Sequence, residues 1–285
     1  MSDISNFFQN LSKRNFYLQN SESWHIIRQK LITSSIAATI LNCNPYETRH
    51  DLLKKRKKLK VNSLSFQNQN NKNKATEWGI KYEPIACDIY KKMFFKKVYH
   101  FGLIKDKNLD WLAGSPDGIT QDKILLEIKS VYTRKLSNTY PLYYWIQCQI
   151  LMQVCDLEKC HLFECKFLES DNEFKLNSEH KGKLDNKYWI LEDYRCHEFN
   201  RDKVWFNKNK KYLYEFWKDV NNNDFKLKRK RDEINESRIT RRRTRYDSYK
   251  NWSDWTHMYE IQNKIKNDPI LDWLNLYMDK KYSDK

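Results

Sequence analysis

Two short segments hold side chains that could act together on a phosphodiester. The first is Gly114-Ser115-Pro116-Asp117-Gly118, and the second, ten residues past Asp117, is Glu127-Ile128-Lys129. Alternate residues of a strand share a face. Glu127 and Lys129 therefore point one way, and Leu126 and Ile128 point the other way, into the core. A hairpin through Thr120-Gln121-Asp122-Lys123 brings Asp117 alongside them. Two carboxylates and an ammonium then stand on one side of a sheet. Mg²⁺, with Mn²⁺ as a substitute, takes such oxygen ligands and keeps several waters, so one to three carboxylates suffice. The main-chain carbonyl of Ile128 could be a further ligand. Such a metal polarises the phosphoryl oxygen and acidifies a bound water, and a lysine beside it orients that water and offsets developing charge. The competing reading is a surface hairpin with a Glu127–Lys129 ion pair. Glu-x-Lys alone is common, and its coupling to a preceding Pro-Asp makes the pattern more specific.

Three further signals are weaker. Glu83 lies in Gly79-Ile80-Lys81-Tyr82-Glu83-Pro84, where it is either a third metal ligand or an exposed helical glutamate. Gln147 shares a helix face with Tyr143, Ile150 and Leu151, so it points inward and needs a partner there. A site water, a phosphate or plain backbone would each serve. Arg28 and Ser35 flank a helix start near Ser34, where backbone N–H groups favour an anion. The pair reads as a terminal-phosphate pocket or as a simple cap with a surface arginine.

The elements that must position these groups follow from periodicity. Residues 23–42 read as two short helices around a turn, with Thr33-Ser34-Ser35 offering capping hydroxyls. Residues 54–60 are almost entirely basic, and the Asn/Gln/Lys-rich stretch to Lys74 reads as a solvated loop or frayed helix end. A helix spans about 75–94, and Pro84 inside it predicts a kink or restart. Strands run through 109–119 and 124–131. A helix over 141–154 opens on Pro141, and strands follow at 160–167 and 188–196. Asn200 is placed to cap a helix reaching Val220. A nuclease domain over 1–220 and a basic linker with a small helical extension over 221–285 are expected.

The chain of 285 residues carries 53 Lys and Arg against 37 Asp and Glu, a net charge of +16, which points to a polyanion partner. No apolar run approaches the roughly 20 residues of a membrane span. Met1-Ser2-Asp3-Ile4 lacks the pattern of a secretory leader, so an intracellular protein is expected. Seven cysteines, an odd number, argue against a disulfide framework. Cys155, Cys160 and Cys165 lack the Cys-x-x-Cys step usual for an iron–sulfur cluster and read as packing residues. In the tail, Lys228, Arg229, Lys230 and Arg231, with Arg241, Arg242 and Arg243, form two basic clusters. They read as non-specific DNA contacts, as a nuclear import signal or as a solvated linker.

In order and spacing, the motifs resemble the YqaJ-type viral recombinase family, related to phage lambda exonuclease, within the PD-(D/E)XK nucleases. The pieces carrying the resemblance are Trp24-His25 with Arg28 and Thr33-Ser34-Ser35; Gly79 with Glu83-Pro84; Ser115-Pro116-Asp117-Gly118; Glu127-Ile128-Lys129; and Tyr144 with Gln147 and Gln149. The resemblance covers roughly residues 20–170 and continues weakly to Trp217. It implies an α/β, restriction-endonuclease-like core, a central mixed sheet flanked by helices. It implies metal at Glu83, Asp117 and Glu127, and a water positioned by Lys129 and Gln147. Arg28, Ser35 and Ser115 would anchor a 5′-phosphate. The implied activity is 5′→3′ exonuclease action on linear duplex DNA in viral recombination, repair or end resection, in host cytoplasm or nucleus. A homo-oligomer and a single-strand annealing partner would accompany it. A structure- or sequence-selective endonuclease and a non-catalytic DNA-binding scaffold are the alternatives. The insert at 54–74 and the tail past 220 depart from the family pattern.

Overall fold

The computed structural model describes residues 2–17, 19, 21–61, 73–175 and 178–222. The chain divides into Met1–Asn221 and Asn222–Lys285, and the described helices and strands all belong to the first unit. The two basic clusters of the tail lie outside the described residues. In chain order the elements are α1 (Ser2–Lys13), β1 (Asn15–Tyr17), α2 (Glu22–Lys30), β2 (Ile32–Thr33), α3 (Ser34–Ile40), α4 (Arg49–Val61), α5 (Lys74–Met93), β3 (Val98–Tyr99), β4 (Leu103–Lys105), β5 (Leu112–Gly114), β6 (Gly118–Thr120), β7 (Ile124–Val131), α6 (Leu142–Cys155), β8 (Lys159–Ser170), β9 (Lys181–Leu184), β10 (Lys187–Asn200) and α7 (Lys203–Asn221).

The mixed sheet has the order β3-β6-β7-β8-β10-β9. The β6–β7 pair is antiparallel and β7–β8 is parallel, with Glu127 beside Leu162 and Lys129 beside Glu164. On one face α5 buries Tyr82, Ala86, Ile89 and Tyr90 against Leu126, Ile128, Phe163 and Phe167. The other face turns Glu127 and Lys129 towards α6. A one-residue slip of β7 would exchange the faces. Exposing Leu126 and Ile128 would cost roughly 1.5–3 kcal/mol each, before any cost of burying Lys129, so packing holds the register.

Several expectations change. Residues 109–119 are not one strand. β5 belongs to a second sheet, β1-β4-β5-β2, and β6 belongs to the mixed sheet. Pro116, with no N–H to give a ladder, sits where the chain crosses between them. α5 continues through Pro84 without restarting. The basic residues 54–60 lie within helix α4, and residues 62–72 of the Asn/Gln/Lys-rich stretch after them lie outside the described residues. Asn200 ends β10, paired with Lys159, so Asp202 caps α7 instead, its Oδ1 accepting the Trp205 N–H at 2.8 Å. The turn within 23–42 is the strand β2. The cysteines are free; Cys155 is buried in α6, and Cys160 and Cys165 are buried in β8.

Candidate active site

Asp117 leads directly into β6. Freed from the ladder by Pro116, its side chain turns to the neighbouring strand, and Oδ2 accepts the Ile128 N–H at 2.7 Å. His100 Nδ1–H donates to the Asp117 carbonyl at 2.9 Å. On β7 the Glu127 side chain is 1% exposed and Lys129 is 20% exposed. Lys129 Nζ donates to Glu127 Oε1 at 2.6 Å and to Gln147 Oε1 at 3.2 Å. Gln147 Nε2 donates to the same Glu127 oxygen at 2.6 Å. The inward glutamine of α6 therefore ties the two β7 side chains together. Gln149 does something else: its Nε2 donates to Asn200 O at 3.0 Å and its Oε1 accepts the Asp202 N–H at 2.7 Å, so it ties α6 to the start of α7.

Burial pushes the Asp117 carboxyl up to about 7; the charge of Glu83 adds to this, while Lys129 and the Ile128 N–H hold it back. Burial likewise pushes Glu127 up to about 7, with Asp117 adding and Lys129 opposing. Glu83 is raised by burial and then by Glu127. Burial opposes charge on Lys129, but Glu127 and Asp117 outweigh it and hold the ammonium protonated.

Glu127 Oε2 is buried and has no hydrogen-bond partner among the described residues. A bare carboxylate oxygen in that setting is costly, and a cation would satisfy it. Glu83, Asp117, Glu127 and Ile128 all line one cavity of about 640 Å³. Among the described residues no three His, Cys, Asp or Glu side chains form a ready-made metal cage. A hard cation that retains its waters does not need one. The oxygen donors present fit such an ion, with waters completing its shell.

The same cavity is lined by Arg28, Ser35 and Ser115. β2 pairs in parallel with β5, Ile32 beside Leu112 and Thr33 beside Ala113. The chain therefore leaves both strands at the same end, which brings Ser35 and Ser115 together. Arg28 Nη2 donates to Ser35 Oγ at 2.9 Å, and Trp24 Nε1 donates to Ser115 Oγ at 2.9 Å. The Arg28 guanidinium lies 3.9 Å from the centroid of the Trp24 ring. Thr33 makes no side-chain capping bond to α3; its hydroxyl meets Ser35 Oγ at 3.2 Å, and both residues line the cavity. Arg56 Nη1 donates to the Arg28 carbonyl at 2.7 Å. Burial, and then Arg56, push Arg28 down to about 10. A partly desolvated arginine pressed by a second cation is what an incoming anion relieves.

Sequence reasoning missed the double role of Trp24, which both donates and stacks. It also missed Arg56, hidden in a basic run, although its spacing four residues after buried Leu52 places it on the inner face of α4. A third omission is Arg134, which is paired with Glu164, a fully buried carboxylate that also lies 3.1 Å from His197 Nε2. Arg134 lines the cavity as well.

Residues 23–158 match the profile of the YqaJ-like viral recombinase domain. An uncharacterised protein of Acanthamoeba polyphaga mimivirus is 27% identical over 172 residues, covering 54% of this chain and 30% of that protein. A protein of African swine fever virus is 28% identical over 160 residues, 46% of this chain and 44% of that protein. The chain thus spans less than half the length of these relatives. Among solved structures, an alkaline exonuclease from Laribacter hongkongensis superposes with a TM-score of 0.54 at 20% identity, over 75% of this chain and 100% of that one. That likeness is one of fold. Among the described residues no helix is long and apolar enough to cross a membrane. The matched residues 23–158 carry Arg28, Ser35, Glu83, Asp117, Glu127, Lys129 and Gln147, so the candidate site falls within the part of the chain that is similar to the YqaJ-like viral recombinase domain.

Proposed function

We propose that the protein is a Mg²⁺-dependent deoxyribonuclease that digests linear duplex DNA from a phosphorylated 5′ end. The observation that carries this reading is the shared cavity: buried carboxylates with a lysine, and an arginine–serine anion pocket, line the same space. Glu83, Asp117, Glu127 and the Ile128 carbonyl would hold the ion. When bound, the ion supplies electrophilic stabilisation of the phosphoryl oxygens and a more acidic water. Lys129 and Gln147, fixed on Glu127 Oε1, position the attacking water, and the Lys129 ammonium offsets negative charge as it develops. Arg28, Ser35 and Ser115 take the terminal phosphate, which sets the scissile bond at a fixed remove from the end. The net positive charge supports a DNA substrate, and the match to a viral recombinase domain supports a role in viral DNA recombination or end resection.

The test is digestion of linear duplex with and without a 5′-phosphate, in Mg²⁺. Faster release of nucleotides from phosphorylated ends supports the reading. Indifference to the 5′ end, or nicking of closed circles, contradicts it.

A further inference from the structure

Four tyrosines also line the cavity, and neither metal binding nor phosphate anchoring uses three of them, Tyr46, Tyr143 and Tyr144, which lie ring to ring. Tyr46 is 79% exposed, yet it is held in place. Its N–H donates to Asn44 Oδ1 at 3.0 Å, and Asn44 Nδ2 donates to Thr39 Oγ1 at 2.8 Å, so the connection between α3 and α4 is pinned to α3. The Tyr46 ring meets Tyr143 edge to face at 5.8 Å, and Tyr143 meets Tyr144 at 4.6 Å. Tyr144 lies beneath two cations, with Lys129 Nζ 5.1 Å and Arg134 Cζ 5.8 Å from its ring centroid. An aromatic track therefore runs from solvent to the lysine of the site. An ordered loop that presents a large aromatic ring to water gains nothing from burial. Flat rings beside cations do match one ligand chemistry, an unpaired nucleobase whose phosphates pass the lysine and arginine.

We propose that Tyr46 and Tyr143 form a base-stacking subsite, which takes unpaired nucleobases of the strand entering the cavity without regard to their identity. Stacking tolerates any base because every base has a π-face. The proposal rests on the cavity being a nuclease site, and binding can be measured apart from cleavage.

The experiment uses the full chain in EDTA and fluorescence anisotropy of two single-stranded oligonucleotides. They share one backbone, one with natural bases and one with abasic positions. The wild type should bind the natural strand about tenfold more tightly. Tyr46→Ala should lower that ratio, Tyr46→Ala with Tyr143→Ala should bring it to about one, and Tyr46→Phe should keep it, since the ring and not the hydroxyl stacks. Thermal melting checks that each variant is folded. Equal binding of both strands by the wild type, or an unchanged ratio in folded Tyr46→Ala, overturns the proposal. Cleavage in Mg²⁺ is scored separately. Base discrimination without cleavage upholds the subsite and refutes the nuclease; cleavage without discrimination does the reverse.

Discussion

Lys129 Nζ sits 2.6 Å from Oε1 of Glu127, while the other Glu127 oxygen is buried with no partner among the described residues. The ammonium therefore compensates half of a carboxylate that is 1% exposed. Removing one partner of such a pair leaves the other charge buried, at a cost of about 3–5 kcal/mol. That cost is an upper bound for Lys129→Met, because Glu127 without Lys129 takes up a proton more readily. The loss should be larger at about pH 8, where the wild-type Glu127 is ionised, than at about pH 6, where it is already protonated. Urea unfolding at the two pH values measures this. An equal loss at both means that Lys129 does not support the Glu127 charge.

The ion-free protein should itself lose stability as pH rises. Asp117 and Glu127 have folded values near 7, above their ordinary values. Between about pH 4 and 7 the folded state then binds more protons than the unfolded state, so stability falls with rising pH. Above the folded values the cost is fully present. Ligation by a divalent cation requires the ionised carboxylates. The rise in Tm on adding Mg²⁺ should therefore be larger at about pH 8 than at about pH 6. A gain independent of pH places the ion elsewhere.

Much of this site is legible from alternation along β7, because Leu126 and Ile128 must be buried and Glu127 and Lys129 then have only one face to occupy. Alternation does not show that Pro116 carries the chain from one sheet to the other, since Leu112–Gly114 and Gly118–Thr120 are equally buried on either side. Arg28 and Ser35 are seven residues apart, two turns of one helix; what joins them is β2, whose two residues are too few for any pattern. Arg56 is masked by its lysine neighbours, and Arg134 by the loop that carries it. Their partners, Arg28 O and Glu164, lie 28 and 30 residues away in the chain.

Gln147 touches both Lys129 and Glu127. Gln147→Ala should lower kcat about 10- to 100-fold with little change in KM, as expected when a supporting contact around a metal site is lost. Steady-state digestion of duplex DNA checks this. A rise in KM with kcat intact would make Gln147 a substrate-binding residue instead.

Arg28→Ala should cost about 10- to 100-fold in kcat/KM on 5′-phosphorylated ends, the worth of a charge-assisted contact. The cost on 5′-hydroxyl ends should be much smaller. Comparable losses on both ends would remove the phosphate pocket from the proposal and leave Arg28 as a packing partner of Trp24.

The most direct test is release of nucleotides from an end-labelled, 5′-phosphorylated linear duplex in Mg²⁺ by the wild type and by Asp117→Asn. The exchange keeps the side-chain oxygen that accepts the Ile128 N–H and removes one carboxylate charge from the cavity. The predicted result is Mg²⁺-dependent release by the wild type and none by a folded Asp117→Asn that still binds the duplex. Full release by Asp117→Asn would contradict the site at its centre.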